Sequence, residues 1–275
     1  MKVQRFFLLL CCGLISEGYA QSLRYTVSMP YISLNACSRQ QADAFSFTGN
    51  QAALAAVKEA GIGMYGERRF LLAENNVYAM AAAIPTSMGH FGIQLKYAGF
   101  SNYNENNLGL AYGRSLGNKL DLGVQFNYYS YRVPTYGNAS SINFELGAIL
   151  HLASRFNAGI HIFNPVGGKL SKGEGEKLAA VYRFSLGYDA SEQFFAGAEL
   201  IKEEDKPVNV SGGLQYQFKK QFFARLGFIS ETGSGFGGAG VSWKHFRLDL
   251  SVNFHPQLGF TPGLLLIVQL KRKRG

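Results

Sequence analysis

The chain has 275 residues, enough for one large domain or two small ones, and a formal net charge of +9. Only Cys37 lies beyond the first twelve residues, so no disulfide or cysteine-based metal site is expected if the start of the chain is removed. Basic residues are concentrated in the tail 271–274 rather than in a stripe through the body, which argues against a nucleic-acid partner.

Residues 1–20 have the layout of a signal peptide. A basic start precedes the apolar run 6–15, which is too short to cross a bilayer, and Gly18 and Ala20 supply the small residues of a cleavage site. We expect cleavage directly after Ala20. Lipid attachment at Cys11 or Cys12 is the alternative, and it is disfavoured because neither cysteine follows a small residue.

The next segment, 21–60, differs from the rest of the chain because it contains the best helix candidate. Residues 51–59 are rich in alanine, and Asn50 is suited to cap the first turn. We therefore predict a helix over 51–59, separate from the pattern that follows.

From residue 61 to residue 270, apolar side chains recur at every second position. In 119–131, Leu122, Val124 and Phe126 alternate with polar residues or glycine, and this period of two is typical of a β-strand with two different faces. About fourteen such segments can be placed, an even number as in single-chain outer-membrane barrels. The clearest cover 90–97, 119–131, 142–150, 208–216 and 246–254.

The connections between these segments alternate in length. Short turns are predicted at 115–118, 153–155, 190–192, 219–220 and 244–245. Longer polar loops are predicted between them at 99–106, 132–140, 164–176, 202–207 and 230–234. Short periplasmic turns and long external loops are typical of bacterial barrels, so the rhythm favours insertion in a membrane over a soluble sandwich.

We predict an all-β fold, a transmembrane antiparallel up-and-down β-barrel of about 14 strands over 61–270. Segment 21–60 would be a plug in the lumen or a periplasmic arm, because a barrel of this size is too wide for its own side chains to fill. Residues 271–275 form a basic tail. The predicted location is the bacterial outer membrane, with membrane lipid as the first partner.

Charged residues on the polar faces of the strands are expected to face the lumen, since an arginine or lysine facing lipid costs roughly 2–4 kcal/mol near the bilayer midplane. These residues are Glu145, Arg183, Glu199, Arg225, Arg247 and Asp249. We expect them to pair across strands. No motif for catalysis, a metal or another cofactor is identified. A hydrolase site built on His151 and His161 is the least favoured hypothesis.

Several stretches resemble the PorV/PorQ-type outer-membrane proteins of Bacteroidota, which share the FadL-like barrel of long-chain fatty-acid transporters. The resemblance is carried by 255–264 (HPQLGFTPGL), 181–188 (VYRFSLGY), 213–216 with 223–227, 163–165 (FNP) and 49–54 (GNQAAL). The chain departs from the family where Gln51 replaces a usual proline and where it ends without a terminal aromatic residue.

This resemblance implies a non-enzymatic accessory or docking component of type IX protein secretion, with secretion components or secreted cargo as partners. The alternative is a FadL-like transporter or channel for a hydrophobic small molecule. The sequence leaves both open.

Overall fold

The computed structural model describes residues 34–133, 137–167, 178–204, 206–219 and 221–270. The predicted signal peptide and the basic tail lie outside the described residues. Fourteen strands follow one another along the chain: β1 Ala60–Arg68, β2 Asn76–Thr86, β3 Gly89–Phe100, β4 Tyr103–Leu116, β5 Leu120–Val133, β6 Gly137–His151, β7 Phe156–Phe163, β8 Val181–Asp189, β9 Phe194–Glu203, β10 Asn209–Phe218, β11 Phe222–Ile229, β12 Ser234–Trp243, β13 Phe246–His255 and β14 Gly259–Leu270.

The strands form one closed antiparallel barrel. Each strand pairs with its neighbours in sequence, and the barrel closes where β1 pairs with β14, from Ala60 opposite Leu270 to Glu67 opposite Gly263. Closure leaves no unpaired sheet edge, which is the condition for strands to cross a bilayer. The predicted 14-stranded up-and-down barrel is confirmed.

The two faces of each strand differ as the alternation predicted. On β5, Phe126 is 60% exposed on the outer surface, whereas Gln125 and Asn127 are buried in the interior. Aromatic pairs lie near both ends of the outer surface, such as Phe156 on Tyr188 at one end and Phe254 on Phe260 at the other. Such girdles are typical of barrels in outer membranes. No described helix is long and apolar enough to cross a membrane.

Two of the predicted long loops are wrong. β3 and β4 are joined by two residues, 101–102, and most of the predicted loop 132–140 belongs to β5 and β6. The error has a physical reason, because polar residues at these strand ends face the lumen. Glu105, for example, is buried and accepts hydrogen bonds from the hydroxyls of Tyr103 (2.5 Å) and Tyr129 (2.7 Å). Inward polar residues therefore mimic the composition of a loop.

Residues 34–57, which we call the inner segment, lie inside the barrel. They contain two 3-10 helices, Ser46–Thr48 and Gln51–Ala56, and a third, Arg69–Leu71, lies between β1 and β2. The Asn50 side chain caps the second helix by accepting a hydrogen bond from the Ala52 N–H at 3.0 Å. The predicted helix 51–59 is wrong in type and length, because the backbone becomes extended at Val57 and leads directly into β1.

Candidate functional site in the barrel lumen

Inward-facing glycines make room for the inner segment. A Cβ added to Gly187 would lie 2.6 Å from the carbonyl oxygen of Cys37, and one added to Gly113 would lie 2.7 Å from the Cβ of Leu54. Both distances are well below ordinary van der Waals contact. Glycine at these positions therefore lets the wall approach the inner segment as closely as it does.

The first half of the inner segment is hydrogen-bonded to strands β8 and β10. Ser38 donates to the carboxylate of Asp189 at 2.5 Å, and Asn35 donates to Gln215 at 3.1 Å. Between these contacts, the Cys37 sulfur lies 2.7 Å from the hydroxyl of Ser185. Burial raises the pKa of the Cys37 thiol to about 12, so it stays protonated at neutral pH.

A chain of charges ties the middle of the inner segment to the last strands. Arg247 contacts Asp43 at 3.0 Å and Asp249 at 2.8 Å, and Arg225 contacts Asp249 at 2.7 Å. Asp249 is thus held between two arginines and is itself almost fully buried. A buried carboxylate of this kind depends on its partners, because removing one side leaves an uncompensated charge.

On the opposite side of the lumen, the carboxylate of Glu145 receives four side-chain hydrogen bonds. The donors are Gln51 of the inner segment and His161, both at 2.7 Å, with Asn127 at 2.8 Å and Gln125 at 3.2 Å. All these groups are buried. Glu145 therefore joins the second 3-10 helix to three strands of the wall.

An apolar half of the lumen lies mainly between the inner segment and strands β14, β1 and β2, and the same cluster extends to Phe195 of β9 and Phe236 of β12. Its members are buried and in mutual contact; they include Phe45 and Phe47 of the inner segment, Tyr65, Ala79, Ala81, Ala83, Leu265 and Ile267. The alanines of β2 leave this side of the wall smooth. The lumen is thus divided into a polar half around Glu145 and an apolar half around Phe45.

A cavity of about 1610 Å³ opens at the end of the barrel where the short turns lie. Its lining includes Ser87, Glu192 and Gln193 of the turns, together with Arg39 and Lys58 of the chain that leads to β1. The inner segment therefore forms the inner boundary of this vestibule.

The six charged residues predicted from the sequence occupy two of these clusters and the wall between them. Glu145 holds the polar half together, and Arg225, Arg247 and Asp249 form the chain that reaches Asp43. The other two lie on β8 and β9: Arg183 is half-buried opposite His161, and Glu199 is buried opposite Ser185. Sequence reasoning did not assign Lys96, Asp43 or Gln51 to the lumen. Lys96 alternates with Leu95 and Tyr97, a signal that was available. Asp43 and Gln51 precede the strands, where no alternation marks an inward position, and Gln51 was noted only because it replaces a usual proline.

The two histidines lie in separate contacts, each with a carboxylate, and His161 contacts Glu145 at 2.7 Å. His151 contacts Asp121 at 2.8 Å and Asn157 at 2.6 Å, so both ring nitrogens have partners other than a serine. Strands β6 and β7 pair His151 with Asn157 and Gly147 with His161. The two histidines are therefore four residue pairs apart along this ladder. Among the described residues no group of three or more His, Cys, Asp or Glu is placed to hold a metal ion.

Solved structures of similar fold are outer-membrane barrels. The CymD monoaromatic hydrocarbon channel superposes with a TM-score of 0.62 at 12% identity, over 84% of this chain and 94% of that one. The toluene transporter TodX of P. putida gives 0.63 at 9% identity, over 84% and 95%. A FadL homologue of Pseudomonas aeruginosa gives 0.57 at 10% identity, over 83% and 93%.

No protein-family model matches the chain, and no curated protein matches it in sequence. The structural similarities do not show the narrower resemblance to PorV/PorQ-type proteins, which stays a prediction. At these identities they establish the fold alone, a closed 14-stranded antiparallel β-barrel similar to the barrels of these channels and of the FadL homologue.

Proposed function

We propose that this barrel passes a small hydrophobic molecule, of the size of a monoaromatic hydrocarbon, across the outer membrane. The observation that carries the proposal is the apolar half of the lumen, in a fold shared with hydrocarbon channels. A permeant without hydrogen-bonding groups would be excluded from the polar half. It would have to break the buried hydrogen bonds around Glu145 and could not replace them. Alanine, leucine and phenylalanine side chains on the other half impose no such cost.

In this proposal the inner segment is a plug. Phe45 is fully buried against β1 and β14, where its ring lies over Gly63 and beside Ile267, and it fills the apolar half. Passage requires the Phe45 ring, or the segment that carries it, to move aside. The bonds from Asp43 to Arg247 and from Gln51 to Glu145 hold the segment on either side of Phe45 in the resting state.

Uptake of labelled toluene by Gram-negative cells that lack such a channel tests the proposal. Cells expressing the barrel should take up toluene severalfold faster than cells with an empty vector. Phe45→Ala should raise the rate further, because it removes the ring that fills the apolar half. The matched control is Phe126→Ala, which shortens a phenylalanine that faces lipid.

Equal uptake with and without the barrel would refute transport. Equal rates for Phe45→Ala and Phe126→Ala would refute the apolar half as the route. Heat-dependent mobility in electrophoresis shows in each case that the variant barrel is folded.

A docking or accessory role in protein secretion is the second candidate. It is favoured by the plugged lumen, since a docking protein needs no open path, and by the resemblance of residues 255–264 and 181–188 to PorV/PorQ-type proteins. It ranks second because the similar solved structures are channels. Deleting the gene and profiling secreted proteins tests this role, and an unchanged profile would refute it.

A further inference from the structure

The end of the barrel with the short turns carries an excess of free basic side chains. In four of its six turns one cation is exposed among the described residues, namely Lys119, Arg155, Lys219 and Lys244. Among the described turn residues at this end, Glu192 is the only acidic one. None of the four cations forms an ion pair or a side-chain hydrogen bond with a described residue. We call these four residues the basic rim.

The connections at the other end of the barrel have a different charge balance. Their described residues include Arg69 and Lys206 as cations against Glu74, Glu204 and Glu231. Arg69 is paired with Glu67 at 2.8 Å and Lys206 with Glu203 at 3.1 Å. Among the described residues of the connections, cations without an ion pair therefore lie at the end with the short turns, whereas exposed Arg68 and Arg132 at the opposite end belong to strands β1 and β5.

Each cation of the basic rim adjoins an exposed apolar side chain. Leu116 precedes the turn of Lys119, Leu152 lies in the turn of Arg155, and Phe218 directly precedes Lys219. Trp243 directly precedes Lys244, whose ammonium lies 5.3 Å from the indole ring centre. Tryptophan marks the level of the lipid headgroups in membrane proteins, and lysine and arginine beside apolar side chains extend their charged ends to that level. The cations therefore project at the depth of the phosphate groups.

Two of the turns use lysine where its backbone conformation is unfavourable. Lys219 and Lys244 have φ angles of 46° and 56°, in the left-handed region that tight hairpin turns usually fill with glycine or asparagine. Lysine at both positions is not explained by turn geometry, since neither side chain stabilises its own turn by a hydrogen bond to a described residue.

We propose that the basic rim binds the headgroups of anionic phospholipids in the leaflet on the short-turn side. The headgroup of an anionic phospholipid has a phosphate diester with no compensating ammonium group. This phosphate supplies the negative charge that would pair with the lysines and arginine of the basic rim, and it lies at the same depth as their side chains. The rim would collect such lipids around the barrel and fix its height in the bilayer. This inference depends on insertion in a membrane and not on what passes through the lumen.

Trp243, the single tryptophan of the chain, reports directly on this contact. The full-length protein is reconstituted into two kinds of phosphatidylcholine vesicle. One contains brominated phosphatidylglycerol and the other contains brominated phosphatidylcholine at the same mole fraction. In both lipids the bromine atoms lie near the headgroup end of the acyl chains. Bromine quenches tryptophan emission at short range. Brominated phosphatidylglycerol should quench Trp243 more strongly, with a local enrichment of about fivefold for each lysine that engages a headgroup.

The excess quenching should disappear in K219Q/K244Q and persist in R68Q/R132Q, which removes two exposed cations at the opposite end. It should also disappear for the unaltered protein in 1 M salt, where the screening length falls to about 3 Å. The salt arm keeps the test valid if the double variant fails to fold. Equal quenching by the two brominated lipids would overturn the proposal, and the basic rim would then be a surface for a protein partner. Excess quenching that survives in K219Q/K244Q or in 1 M salt would overturn it as well.

Discussion

Replacing Gly187 by valine should displace the inner segment without opening the barrel wall. Gly187 lies on the inner face of β8, and a Cβ there would stand 2.6 Å from the Cys37 carbonyl oxygen and 3.0 Å from the Cys37 Cβ. Ordinary contact begins near 3.4 Å, so the backbone of Cys37 must retreat even before the two methyl groups of valine are accommodated. Valine itself is well suited to a β-strand, so the ladder of β8 should persist.

The substitution should destabilise the position of the inner segment inside the barrel. Overpacking of a filled interior costs about 1–3 kcal/mol. A retreat at Cys37 also strains the hydrogen bond from Ser38 to the buried carboxylate of Asp189, and a bond of this charged kind contributes about 1.5–3 kcal/mol. Together these effects should shift the equilibrium by roughly 50-fold or more from the inner segment in place toward the displaced segment, since about 1.4 kcal/mol changes an equilibrium constant tenfold.

Thiol labelling measures that shift. In a C11S/C12S background Cys37 is the sole thiol, and in the resting barrel it is 1% exposed. Its rate of reaction with a maleimide on the folded protein should rise by at least about 50-fold in G187V, in line with the shifted equilibrium.

The matched control is G237V, since Gly237 faces lipid and a Cβ there would meet nothing closer than 3.7 Å. If G187V and G237V label Cys37 at the same slow rate while both migrate as folded barrels, the reasoning about close approach is refuted.

Three further predictions concern the interior and the lipid-facing surface. Glu145→Gln should lower the free energy of unfolding by about 3–5 kcal/mol, because a neutral amide would replace the buried carboxylate that accepts four side-chain hydrogen bonds and interacts with Lys96. Urea titration of the protein in vesicles measures the change, and a loss below about 1 kcal/mol would contradict the account of the polar half. Asp249→Asn should destabilise by a similar amount and additionally speed Cys37 labelling, since Arg247 would lose one of its two carboxylates. Phe126→Arg should cost about 2–4 kcal/mol in refolding into vesicles, and a neutral effect there would show that this face does not meet hydrocarbon.

The sequence alone determined the barrel because its information is local. A period of two, repeated in about fourteen segments, specifies strands with one apolar face, and short connections specify antiparallel neighbours. The charged positions on the polar faces, such as Glu145 and Arg225, followed from the same alternation. The strand ends at 99–106 and 132–140 were wrongly predicted as loops, because their inward-facing polar residues have the same composition as a loop.

Only the tertiary structure decided what fills the lumen. Asp43 meets Arg247 across 204 positions of chain, and Gln51 meets Glu145 across 94, distances over which no periodicity relates one residue to another. The division into a polar and an apolar half likewise depends on barrel closure, which brings β14 beside β1 and β2. These contacts arise from the wrapping of the wall around the inner segment, and no stretch of sequence contains them.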